Sequence, residues 1–264
     1  MIPEEADKMT AIAIRRLSAV GATFLVCGLL VPAASAQTLE EIVASSLEAS
    51  GGRAAFEAIR SVRQVGGFTM QTEFGPLDGD IETVIIPGQK FYEEQQSDLF
   101  EQRSGWNGTL AWQLGPQGLV DLEGPQAAVL LARSLLHPFL GFERPELGGA
   151  QFRKADDADL EGRSHHVVIV DVQDVEFSIF VDADTMLLSR FEFNTTVPQL
   201  GTVRITGDYS DYEDHGGVKL PTRQLLDVPG AFTVDTRYTT TEINVEVDQS
   251  ILVALPRCNI RSGC

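Results

Sequence analysis

From Val62 onward the apolar residues of this chain recur at every second position, and before Val62 they do not. Phe68, Met70, Thr72 and Phe74 share one face of a first strand, and Gly75-Pro76 with Asp78-Gly79 supplies its turn. Strand-like runs follow at 79–86, 89–96, 99–105, 109–114 and 118–123. Pro87-Gly88, Asn107-Gly108 and Gly115-Pro116-Gln117-Gly118 punctuate them. After a stretch rich in Gly, Pro and acids at 141–162, the pattern resumes at 164–172, 174–182, 185–195, 201–212, 217–227 and 231–246. Asp182-Ala183-Asp184-Thr185 turns the hairpin FSIFVDADTMLLSRFEF, and Gly216-Gly217 turns another. Hairpins in succession, without strand–helix alternation, predict a mainly β (α+β) protein built on a single antiparallel sheet. At about 10–12 strands such a sheet curls strongly.

Three helical stretches stand outside that pattern, two before it and one within it. Leu39, Ile42, Val43 and Leu47 recur at helical spacing behind Thr38, a plausible N-cap with acids in the first turn. Gly51-Gly52 ends that helix, and a shorter stretch, RAAFEAIRS, follows. Residues 125–137, PQAAVLLARSLLH, place Pro in the first turn of a helix that is apolar around most of its circumference, with Arg133 its only strong charge. A helix of that kind expects burial on more than one side. In the middle of a β meander it should cap or plug the sheet.

The N-terminus carries a different signal. Arg15-Arg16 precede an apolar run from Leu17 to Val31, Pro32 breaks it, and Ala34-Ser35-Ala36 offers small residues for cleavage. The run is shorter than the roughly 20 residues that span a bilayer. Residues 1–36 therefore read as a cleavable signal peptide, and 37–264 as a single β domain with a short tail, periplasmic or secreted and without a stable membrane anchor. MIPEEADK is acidic for the start of such a signal, and Met9 is an alternative start. Cys27 follows Phe24-Leu25-Val26, too bulky for lipid modification.

Taking 36 residues from 264 leaves 228, enough to bury a full core without staples. Glu4, Glu5 and Asp7 leave with Lys8, Arg15 and Arg16, so the net charge stays at −18. Such a surface repels phosphate backbones and anionic headgroups, which excludes nucleic acid as a partner and leaves a basic protein as a candidate. Cys258 and Cys264 remain, and in an oxidising compartment they read as a small terminal disulfide.

Chemistry is sparse. His165-His166 sit in a strand, so their side chains point to opposite faces and cannot share one metal. The acidic DYSDYEDHGG lacks the spacing of a calcium loop and reads as a solvated hairpin end. No nucleophile elbow, zinc-protease motif or phosphate loop occurs. These observations predict no cofactor, no metal and no enzyme. The remaining catalytic alternative is a hydrolase whose carboxylates come from separate strands, with Asp171, Asp182, Asp184 and Asp208 as its first candidates. Asp182 and Asp184 read better as turn formers.

The aromatics are more informative. Phe68, Met70, Phe91, Trp112, Phe177, Phe191 and Phe193 lie on predicted strands, and Val129, Leu131 and Leu135 on the apolar helix would face them. If the space between is unfilled it accepts acyl chains, each buried CH₂ contributing roughly 0.8 kcal/mol. The residues alone leave cavity and filled core both open.

ASSLEASGGRAAFEAIRSVRQVGGFTM resembles the start of exported LolA/LolB-like proteins: helix, Gly-Gly, short helix, then a first strand carrying Gly. PGQKFYEEQ, SGWNGTLAWQL, FSIFVDADTMLLSRFEF, GDYSDYEDHGGVKLPTRQLL and the closing VDQSILVALP continue the resemblance in order, covering most of 39–256. It implies an unclosed β-barrel whose mouth is covered by helices, with a hydrophobic cavity between. In that family the cavity receives lipoprotein acyl chains, and RseB-like relatives use the fold in envelope-stress sensing. The resemblance thus implies a carrier of acyl chain, lipid or lipoprotein, with an envelope sensor or protein-interaction module as the alternative. The carriers' cavity arginine has no matching position here. Arg133 sits on the candidate lid helix, and no motif makes it equivalent.

Overall fold

Thr38 starts the first helix with a reciprocal cap. Its Oγ1 accepts the Glu41 N–H at 3.2 Å, and its own N–H donates to Glu41 Oε2 at 2.8 Å. The computed structural model describes residues 37–136, 149–197 and 200–248, which belong to one compact unit. The expected signal peptide at 1–36 and the expected Cys258–Cys264 disulfide lie outside the described residues, as does the side chain of Leu135.

Helix α1 (Leu39–Ala49) and the short α2 (Arg53–Glu57) lead into β1 (Val62–Thr72), β2 (Gly75–Ile86), β3 (Lys90–Ser97), β4 (Glu101–Trp106), β5 (Ala111–Gly115) and β6 (Gly118–Leu122). Helix α3 (Gly124–Leu136) interrupts. Then come β7 (Gln151–Lys154), β8 (Ala158–Leu160), β9 (Arg163–Val172), β10 (Val175–Asp182), β11 (Leu188–Val197), β12 (Gly201–Asp214), β13 (Lys219–Val228) and β14 (Phe232–Ile243). The strand order is β6-β5-β4-β3-β2-β1-β14-β13-β12-β11-β10-β9-β7, with β8 paired to β9. All neighbours are antiparallel, and the sheet is not closed. Fourteen strands exceed the 10–12 expected because β7 and β8 lie inside 141–162, where the density of Gly, Pro and acids reads as a loop. They are four and three residues long, too short for a periodic signal.

One long-range ladder makes this linear meander a curled one. β1 pairs with β14, setting Val62 opposite Ile243, with a register shift between Val65 and Gly66. A Cβ at Gly66 would lie 2.0 Å from the Arg237 carbonyl oxygen, so only glycine permits that approach. Pairing β1 to β14 leaves β6 and β7 as the two free ends of the ladder.

The helices cover the inner face. Ile42 and Leu47 of α1 join Phe56, Val62, Ile85, Val218 and Leu220 in the main core. The Lys219 N–H donates to the Ser50 carbonyl at 2.8 Å, pinning the C-terminal end of α1 to the start of β13. Helix α3 touches β3, β4 and β5 on one side and β9 and β10 on the other. One helix reaches both halves of the ladder only because the sheet wraps around it. The Gly88 N–H, in the β2–β3 turn, donates to the Ser134 carbonyl at 3.0 Å and ties down the far end of α3.

Alternation then sorts the side chains. Phe91, Glu93 and Gln95 face inward, while Tyr92 and Glu94 face outward. Val168 and Val170 are in the main core, whereas Val167 and Ile169 form a separate outer cluster with Phe180. His165 is buried beside Phe180, and His166 on the opposite face meets Asp157 at 3.2 Å. The two histidines diverge as their adjacency in a strand requires.

A cavity between helix and sheet

A cavity of about 290 Å³ lies between α3 and the inner face of the sheet. Its wall on the helix side is Val129, Ala132 and Arg133, which share one stripe of α3. Its sheet side draws on β2, β3 and β10 to β14. An aromatic series runs across three adjacent strands. Phe177 and Phe193 have ring centroids 5.1 Å apart, Phe193 and Phe191 6.2 Å, and Phe191 and Tyr209 5.7 Å. Phe191 lies flat enough on its neighbour strand that a Cβ at the facing Gly207 would come within 2.1 Å of the ring. Glycine there keeps the ring against the sheet and out of the cavity.

The sheet wall is graded. In register across β12, β13 and β14, Tyr209, Gln224 and Thr236 make one polar row. The next rows toward the β13–β14 turn are Leu226 with Val234 and Val228 with Phe232. The polar row lies toward the Glu93 end of the cavity: Glu93 aligns through Thr83 and Gln64 with Thr241 of β14, and Thr236 is nearer that position than Val234 or Phe232.

Glu93 and Arg133 are the two charged residues of the lining. The guanidinium grips the carboxylate with both arms: Nη1 donates to Oε1 at 3.1 Å and Nη2 to Oε2. It also stacks 4.4 Å over the ring of Phe91. Glu93 is 7% exposed and Arg133 30%. Burial opposes the Arg133 charge, but the Glu93 carboxylate outweighs it, so the guanidinium pKa rises. Burial, reinforced by Glu93, pushes the Tyr238 phenol up to about 12, and its hydroxyl lies 3.3 Å from Thr83 Oγ1. Burial likewise raises Tyr209. Both phenols stay protonated at any physiological pH.

Among the residues the sequence nominates, Val129, Phe177, Phe191 and Phe193 line the cavity together. Phe91 is fully buried beneath Arg133, and Leu131 points into the main core. Phe68 and Met70 pack in a neighbouring cluster with Ile81 and Val234, which do line the cavity. Trp112 is a correction. It pairs with Gly105, which pairs with Tyr92, and that register puts the indole on the outer face against Tyr92 and Val84. Phe74 is in solvent at the β1–β2 turn, two residues beyond the strand.

The candidate catalytic carboxylates do not converge. Asp182 caps its own turn, accepting the N–H groups of Asp184 and Thr185 at 3.2 and 2.8 Å and the Thr185 hydroxyl at 2.9 Å. Its burial works against ionisation, yet those bonds and Arg163 hold its pKa below the usual range. Asp208 is held by Arg190 on the outer face, at 2.6 and 3.1 Å. Asp171 stands opposite Glu176. None of the four lines the cavity. Among the described residues no three His, Cys, Asp or Glu are placed to hold a metal, and no helix is long and apolar enough to cross a membrane.

Sequence reasoning singled out Arg133 but missed Glu93. The signal was present: in KFYEEQQ, alternation puts Glu93 on the same face as Phe91, so an acid stands on an apolar face and needs a partner.

No protein-family model matches the chain, and no curated protein matches it in sequence. Solved structures match its fold. A LolA superfamily protein from Nitrosomonas europaea superposes with a TM-score of 0.56 at 11% identity, covering 83% of this chain and 99% of that one. A DUF1329 family protein from Desulfovibrio piger gives 0.54 at 10% identity, covering 82% and 98%. A domain from Vibrio parahaemolyticus, assigned to outer membrane lipoprotein sorting, gives 0.52 at 10% identity, covering 80% and 94%. The unclosed barrel implied by the ordered series of sequence motifs is thus the fold of the LolA superfamily.

Proposed function

We propose that this chain is an exported carrier that holds a lipid or lipoprotein acyl chain in the cavity under α3 and performs no covalent chemistry. The observation that carries this reading is the cavity itself. Its lining is mostly apolar, the Phe191 ring lies against the sheet at Gly207 instead of filling the space, and one helix forms its roof. At about 290 Å³ it stands at the lower end of small-ligand sites, which run from about 300 to 1,000 Å³. The Vibrio domain's assignment to lipoprotein sorting agrees with a carrier role, and the apolar run from Leu17 to Val31 followed by Ala34-Ser35-Ala36 agrees with export. Residues 37–264 would then be the working domain. Loading requires only that α3 shift. Its polar anchors are the Arg133–Glu93 pair and the Gly88–Ser134 hydrogen bond, neither of them covalent.

Native mass spectrometry of the processed protein, purified from a bacterial periplasm with lipid extraction alongside, tests this. A discrete lipid-mass adduct, released on denaturation and absent from Val129→Trp, is the expected result. Val129 is only half-buried and borders the empty space, so the indole fills the cavity without displacing the core. A protein that leaves the cell without adduct and takes up no lipid in vitro sinks the carrier reading.

A further inference from the structure

The cavity of the proposed carrier has an internal polarity, and with that reading as its premise we infer that its ligand is an amphiphile with an uncharged, hydrogen-bonding head, such as an acyl ester, amide or alcohol, and not a free fatty-acid anion. The lining has two ends. Leu226, Val234, Val228 and Phe232 give an apolar surface running toward the β13–β14 turn. Tyr209, Gln224 and Thr236 give a cross-strand row of neutral donors and acceptors at the end toward Glu93 and Arg133. An alkyl chain fits the first and offers no hydrogen bond to the Gln224 amide or the Thr236 hydroxyl at the second. A head that donates and accepts hydrogen bonds satisfies both.

Charge then decides which head. An arginine in an apolar cavity is ordinarily a carboxylate or phosphate receptor. Here Glu93 already occupies both arms of the Arg133 fork, and Phe91 covers one face of the guanidinium. The two charged groups of the lining cancel. An incoming anion would meet Glu93 as readily as Arg133, inside a chain of net charge −18. Both phenols nearby remain protonated and add no charge. The pocket therefore rejects an anion by occupying its own cation, while leaving the amide of Gln224 and the hydroxyl of Thr236 for a neutral head.

The test compares three probes of equal chain length on the delipidated protein at neutral pH: a monoacylglycerol, the corresponding fatty acid and the alkane. The monoacylglycerol should bind at least about tenfold tighter than the other two, a difference of one decade in Kd. Gln224→Leu should narrow its advantage over the alkane. Glu93→Gln frees the Arg133 fork and should turn the preference toward the fatty acid by about tenfold. Should that variant fail to fold, Gln224→Leu still decides. Equal binding of all three probes, or a wild-type preference for the fatty acid, overturns this inference and leaves the carrier intact. If none of the three binds, both fall together.

Discussion

Two arginine–carboxylate forks of the same kind stand on opposite faces of this sheet, and they do different things. Arg190 and Asp208 pair across β11 and β12 on the outer face, with side chains 22% and 38% exposed. Arg133 and Glu93 pair across the cavity on the inner face, at 30% and 7%. Outside, the pair is one of several. Arg63 holds Glu82 and Glu242, Arg103 holds Glu94 and Glu101, and Arg223 and Arg237 share Asp235. Each of these charges keeps solvent on one side, so its loss is cushioned. Inside, Glu93 accepts one further hydrogen bond, from the Gln95 amide at 3.1 Å, but the cavity lining offers neither member of the pair a second charge. The same chemistry is a surface ornament in one place and a structural and selective element in the other.

Removing one partner from each face separates them most sharply. Glu93→Ala strands the guanidinium against Phe91 and should lower the unfolding free energy by about 3 kcal/mol, the low end of the range for breaking a buried pair. Asp208→Ala should cost no more than about 1 kcal/mol, as exposed pairs do. Urea midpoints at constant slope give both numbers. The double replacement Glu93→Leu with Arg133→Met should recover most of the inner loss, because matched apolar groups need no partner. Equal losses on the two faces would erase the distinction.

The faces also carry matched glycines. Gly207 lies under the ring of Phe191 on the inner face, and Gly105 lies under Trp112 on the outer face, where a Cβ would be 2.8 Å from the indole. Alanine at either site overpacks and should destabilise by about 1–3 kcal/mol. Only Gly207→Ala should push an aromatic ring into the cavity. Lipid uptake by the native protein is therefore expected to fall in that variant and to survive in Gly105→Ala. If both lose uptake, the effect is on the fold and the cavity assignment weakens.

How far the sequence could show this depends on range. The hairpin 175–195 was legible because both strands alternate and their turn residues, Asp182 to Thr185, are local. Helix α3 was legible because Arg133 is its only strong charge. Trp112 was misplaced because its face depends on two successive registers, through Gly105 to Tyr92, and periodicity within one strand does not report register between strands. The polar row of Tyr209, Gln224 and Thr236 was invisible for the same reason: each residue looks like an ordinary strand position until β12, β13 and β14 are aligned. The β1–β14 pairing, which curls the sheet, joins the two ends of the domain and has no local signature.

The smallest expected effect tests whether the outer pairs matter at all. The hydrogen bond from Arg223 is the main influence on Asp235; burial opposes it, the charges of Arg223 and Arg237 add to it, and the carboxyl is held below its usual range. A carboxylate whose folded pKa is depressed binds fewer protons in the native state than in the unfolded chain. Its contribution is therefore fully present above the unfolded value of about 3.9 and disappears as pH falls from there through the folded value. Asp235→Asn should be slightly less stable than the parent at neutral pH, and the gap should close in the acid limb. Added salt should shrink the gap at neutral pH, because both partners sit within reach of counterions. Lipid uptake should not change, since Arg223 and Asp235 face away from the cavity lined by their neighbours Gln224, Val234 and Thr236. A large, salt-insensitive loss in this variant would mean that the outer ladder of ion pairs holds the curl of the sheet, and that the two faces are less independent than their exposure suggests.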